Sequence, residues 1–123
     1  MTLQQALDRI DATMHNTYSR EQKVEWLSRL DSMVQRLIID THDGGGSVAF
    51  AGYDDRTGMD TELLAPAPFD EMYIRWLEAQ IYYANGEYDK FNNAILMYQA
   101  AYDGYHNDYN RNHMPKARNF KFF

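Results

Sequence analysis

The chain has 123 residues, no cysteine and a formal net charge of −6, which allows one domain with a sizeable core and excludes disulfides, zinc-thiolate sites and thiol nucleophiles. The opening MTLQQALDRID has neither a basic leader nor an apolar segment, and no run approaches the ~18 apolar residues of a membrane span, so the sequence predicts a protein made in a reducing cytoplasm, with no membrane partner. The charge is unevenly placed: Arg111, Lys116, Arg118 and Lys121 give residues 111–123 a charge of +4 and leave −10 on the first 110 residues, so tail and body attract.

In chain order, Thr2 precedes Leu3, Ala6, Leu7 and Ile10, one face of a short helix ending before the turn-like His15-Asn16-Thr17. Ser19 with Gln22 has capping-box spacing, and Val24, Leu27, Leu30, Val34, Leu37 and Ile38 follow on one side, with Trp26 and Met33 beside them, predicting a helix over residues 19–41. The run Asp43-Gly44-Gly45-Gly46-Ser47 stops it, because consecutive glycines are entropically costly in a helix. Within the following loop, SVAFAGY and TELLAPA flank DDRTGMD and suit a small two-stranded hairpin laid on the helices.

Pro66 and Pro68 end the loop, and a third helix starts near Phe69 with Asp70 and Glu71 in its first turn, stopping at Asn85-Gly86. From Tyr88 the spacing of Phe91, Ile95, Tyr98, Tyr102, Tyr105 and Tyr109 defines one face of a long last helix, widened by Ala94, Met97 and Ala101. Five of the seven stripe positions are tyrosine, whose hydroxyl demands a partner or water, so the stripe suits a seam with other helices or another subunit. The last two helices then form an antiparallel hairpin with the 19–41 helix packed across it. The expected shared core is Trp26, Leu30, Leu37, Trp76, Leu77, Ile81, Phe91 and Ile95. After Met114-Pro115, KARNFKFF is left as a basic, aromatic arm in which Phe120, Phe122 and Phe123 are interleaved with charge. The fold class is therefore mainly α: a small antiparallel helical bundle over residues 1–113 with a loop or short hairpin inserted at 42–68, and an extended C-terminal arm at 114–123.

No catalytic, cofactor or metal site is predicted. Residues 40–71 hold Asp40, Asp43, Asp54, Asp55, Asp60, Glu62, Asp70 and Glu71 against the single Arg56, which repels nucleic-acid phosphates. DGGGS lacks the lysine of a phosphate loop and does not lead from strand into helix. His106 and His113 are seven residues apart near Pro115, His15 and His42 fall in expected turns, and no HExxH-like pattern joins them, so they read as ordinary exposed histidines. The carboxylate pairs Asp54/Asp55 and Glu71/Glu78 have no nucleophile beside them and read as solvated charge.

The segment WLEAQIYYANGEYDKFNNAILMYQAA resembles one tetratricopeptide-type helical hairpin, which makes a peptide- or protein-binding module the alternative function, although no second copy occurs at a 34-residue period. Over most of its length the chain resembles another group. WLSRLDSMVQRLIIDTH, PAPFDEMYIRWLEAQIYYANGEYDKFNNAILMYQAAYDGY and NRNHMPKARNFKFF are similar to segments of the small head-tail connector, or adaptor, proteins of tailed bacteriophages and prophages. That resemblance implies a non-enzymatic subunit of the virion, made in the bacterial host cytoplasm, that forms a homo-oligomeric ring beneath the portal protein and docks the next connector or tail component. DNA would pass through the ring without sequence-specific binding. The contact surfaces expected on this reading are Tyr98, Tyr102, Tyr105 and Tyr109, with Arg111, Lys116, Arg118, Phe120, Lys121, Phe122 and Phe123 of the tail.

Overall fold

The first two helices begin where the sequence supplies a cap. Thr2 accepts from the Gln5 amide while the Gln5 side chain accepts from the Thr2 amide, a full capping box that starts α1 (Leu3–Thr13). Ser19 accepts from Gln22 N–H and starts α2 (Arg20–Leu37), which runs on through a 3₁₀ turn at Ile39–Thr41. α3 (Glu71–Ala84) follows the two prolines, and α4 (Tyr88–Asn112) follows α3 after a tight turn. That turn is a Schellman motif: Gly86 has φ +77°, its N–H reaches the Tyr83 carbonyl at 3.0 Å, and Glu87 N–H reaches the Tyr82 carbonyl at 2.9 Å. The structure, a computed structural model, describes residues 1–42 and 50–113. Of these, 67% are helical, so the protein is mainly α. The expected glycine loop at 43–47, the first residues of the expected hairpin and the arm at 114–123 lie outside the described residues.

α3 is the central element, close to α1, α2 and α4, whereas among the described residues the backbone of α4 approaches no helix but α3. The reason lies in composition: Met72, Tyr73, Leu77 and Ile81 are all fully buried and spread around α3, so it must be covered on more than one side. Leu3, Ala6 and Ile10 of α1 and Leu27, Leu30 and Val34 of α2 close over it from one side. Lys23, almost wholly buried, ties α2 to α1 through Asp11 at 2.5 Å. Partial burial works against the Asp11 carboxylate, but hydrogen bonds from Lys23 and Asn16 prevail and hold its pKa below the ordinary value.

Two expectations are corrected. Leu37 is not in the core but 52% exposed. It sits at the edge of the α2 stripe in the last α-helical position, and the fully buried Ile38 fills the interior instead. The second concerns the hairpin. Among the described residues no strand pairs 50–53 with 61–67; Glu62 instead forms an isolated antiparallel bridge with Thr2, flanked by Leu63 N–H to the Met1 carbonyl (2.9 Å) and Leu3 N–H to the Thr61 carbonyl (3.0 Å). The N-terminal backbone offers this segment partners while Leu3 and Leu63 are buried together, so the segment closes on α1 rather than on its own neighbour. Trp76 and Ile95 lie at the rim of the core, half-buried, whereas Phe91, also half-buried, packs on Tyr83 outside it; Trp26, Leu30, Leu77 and Ile81 are buried as expected.

Candidate docking surfaces

At a rise of 1.5 Å per residue, the 25 residues of α4 extend about 37 Å and the 14 of α3 about 21 Å, so much of α4 must find support elsewhere. The tyrosine stripe provides it. Tyr98 packs on Trp76 of α3 (ring centroids 4.9 Å apart), and beyond the start of α3 Tyr105 packs on Phe69 (5.8 Å) and Tyr109 on His42 (4.8 Å). Burial pushes the phenols of Tyr98, Tyr102, Tyr105 and Tyr109 above the ordinary tyrosine value, with Asp103 adding to the effect at Tyr98 and Tyr102. The stripe is thus the seam of α4 with its own domain. Tyr98 and Tyr105 are 7% and 3% exposed, so the seam leaves little of either side chain at the surface; Tyr102 and Tyr109 remain half-buried. A periodic aromatic face cannot reveal from sequence whether its partner is the same chain or another.

The apolar surface left open lies elsewhere on the hairpin. Tyr83 and Tyr88 are each 57% exposed and gather with Phe91 around the α3–α4 turn at centroid distances of 5.1–5.6 Å, while Leu96 and Met97 stand out along α4. Arg111 is exposed in the last turn of α4, where a cation complements the helix dipole. Lys116, Arg118, Phe120, Lys121, Phe122 and Phe123 lie outside the described residues.

Two buried polar centres were not foreseen. Asp31 is fully buried on α2 and accepts from the Tyr73 hydroxyl (2.6 Å), the Tyr53 hydroxyl (2.5 Å) and Leu64 N–H (3.1 Å). The Tyr73 oxygen in turn accepts from Ala65 N–H at 2.7 Å. Burial raises the Asp31 pKa, while the three donors act in the opposite direction and limit the rise. The carboxylate and both phenols are satisfied within the fold, so this centre anchors residues 53–65 to α2 and α3. Its signal in the sequence is an acid four residues after Leu27 and three before Val34, inside an apolar stripe.

His42, expected to be exposed, is 2% exposed instead. Its Nδ1 lies 2.5 Å from the Ile38 carbonyl and its Nε2 2.7 Å from Asn110 Oδ1, joining the end of the 3₁₀ turn to the end of α4. His113 stacks on Tyr109 at 3.8 Å, covering the same corner. Glu71 and Glu78 are paired with Arg9 (2.7 Å) and Arg75 (3.0 Å), and Asp54 caps a turn by accepting from the Arg56 and Thr57 amides. Among the described residues, no group of three or more histidines and acids is arranged to hold a metal ion, and no helix is long and apolar enough to cross a membrane.

No protein-family model, curated protein or solved structure matches the chain.

Proposed function

We propose that the protein is a non-enzymatic head-tail connector subunit of a tailed phage or prophage, joining a ring under the portal and docking the next connector or tail component. On this reading, residues 1–113 are the connector domain, 42–68 its inserted loop, and 114–123 the arm that engages a partner. The observation that carries the proposal is the polarity of the chain: −10 on the first 110 residues and +4 on the last 13, with the switch at the end of the longest helix. A closed ring is built from two different surfaces per subunit, and opposite charge on body and tail supplies such a pair. The resemblance in sequence points the same way, and the deeply buried carboxylate, Asp31, has its donors within the fold.

The proposed lateral surface is the exposed side of α4 at Leu96 and Met97, with the half-buried Tyr102 and Tyr109 of the stripe at its margin. The test is a pull-down of purified portal protein from the same prophage. Wild-type chain should be retained, and Lys116→Glu/Arg118→Glu/Lys121→Glu should be lost without any change in helical content. Equal retention of both would remove the arm from the contact. If the portal binds neither and an extended peptide binds the α3–α4 hairpin, the tetratricopeptide-like reading takes its place.

A further inference from the structure

Along the first two turns of α2 runs a groove of about 380 Å³, a size in the range of binding clefts for side chains and small ligands. Its floor is apolar, made of Val24 and the ring of Tyr53, both nearly buried. Its rim carries Glu21, Glu25, Asp54 and Asp55 against Arg20. The floor is fixed from below: the Tyr53 hydroxyl is held by Asp31, its amide by Ser28 Oγ at 2.9 Å, and Glu25 is turned along the helix by Arg29 at 2.8 Å. A shallower cavity that shares Glu25 and Tyr53 continues the groove toward Met33 and Trp76. An apolar floor inside an acidic rim fits a segment that alternates aromatic rings with cations, and residues 116–123, KARNFKFF, are such a segment.

We infer that this groove receives the C-terminal arm of a second copy of the chain, with a phenylalanine on Val24 and Tyr53 and the arm's cations on the rim. A neighbour's arm is favoured over the chain's own by reach. His113 lies beside His42, past the last turn of α2, whereas the groove lies at the first turns. From Val24 to Leu37 α2 rises about 20 Å and the turn to His42 adds about 10 Å, whereas the nine residues from His113 to Phe122 span at most about 32 Å, so the chain's own arm would reach the groove only when fully extended. The arm of another copy has no such tether. The inference rests on the connector reading only in treating the arm as a contact element, and it names the surface that receives it.

The experiment uses full-length chain carrying p-benzoylphenylalanine in place of Phe122, mixed from ¹⁴N- and ¹⁵N-labelled preparations at high concentration, photolysed and mapped by mass spectrometry. Cross-links to residues 20–25 or 53–55 that join light to heavy chains are expected. Glu21→Lys/Asp55→Lys, both at exposed positions, should reduce them roughly tenfold, as should Lys116→Glu/Arg118→Glu/Lys121→Glu. Mixing these two variants should restore cross-linking, because each arm then meets a rim of opposite sign. Circular dichroism melts that match wild type show that loss is not unfolding. Cross-links confined within one chain, cross-links centred on Tyr83 or Leu96, or yields indifferent to either charge reversal would overturn the inference. Groove cross-links from a chain that portal protein does not retain would keep this inference and remove the connector reading; retention by portal with no groove cross-links would do the reverse.

Discussion

Removing one oxygen atom from Tyr73 should show how firmly the middle segment is tied to the helices. The hydroxyl donates to Asp31 at 2.6 Å and accepts from Ala65 N–H at 2.7 Å, and all three residues are buried. In Tyr73→Phe the carboxylate loses a donor, a bond worth ~1.5–3 kcal/mol when one partner is charged, and the Ala65 amide is orphaned at a cost of ~1–3 kcal/mol. Allowing for partial relaxation, the loss should be roughly 2–5 kcal/mol in urea unfolding, with the hydrogen-exchange protection of the Leu64 and Ala65 amides falling most. Tyr53→Phe removes the second phenolic donor, and a double-mutant cycle between the two should show strong coupling, because both act on one carboxylate. The pH dependence has a definite sign. Burial raises Asp31 above 3.8, so the folded chain binds this proton more readily than the unfolded one; the contribution of the group is complete below pH 3.8 and declines as pH rises through the raised folded value. Asp31→Asn should remove that decline from the stability profile. A loss under about 0.5 kcal/mol for Tyr73→Phe, within the range of ordinary surface changes, would refute the anchoring role.

Leu77→Ala should cost roughly 2–5 kcal/mol, because Leu77 is fully buried at the centre of α3, while Leu37→Ala should stay within about 0.5 kcal/mol, and thermal melts of the pair check both. Gly86→Ala should destabilise by about 1–2 kcal/mol through the backbone, since φ is +77° and no residue beyond its chain neighbours lies within 4 Å of an added methyl group; chemical denaturation measures it. His42→Ala should loosen the end of α4, seen as faster amide exchange over residues 105–113, because it removes the link to Asn110 and the ring under Tyr109.

The helices were legible because their signals are local. Thr2 and Ser19 cap where they should, Gly86 takes the left-handed turn, and the fourth helix begins with its apolar period at Tyr88 and ends one turn after Tyr109. What could not be read were choices of partner. The tyrosine stripe has the same spacing whether it meets Trp76 and Phe69 or a second subunit, and the segment around Glu62 has the same alternation whether it pairs with residues 50–53 or with Thr2. Asp31 and His42 were passed over for a related reason. A polar residue earns burial only through donors and acceptors distant in sequence, here Tyr53, Tyr73 and Asn110, and composition does not bring these together. The rim of the α2 groove was visible only as scattered acids, because Glu21 and Asp55 become neighbours through the anchoring of Tyr53 to Asp31.

The connector assignment is tested most directly by cryo-electron microscopy of portal-containing, DNA-filled heads incubated with purified chain. Weak lateral contacts become effective once a portal holds many subunits at high local concentration, so a continuous collar should appear beneath the portal in the presence of wild-type chain and fail to form with the arm-reversed variant. Heads whose vertices stay bare after exposure to folded wild-type protein would contradict the assignment.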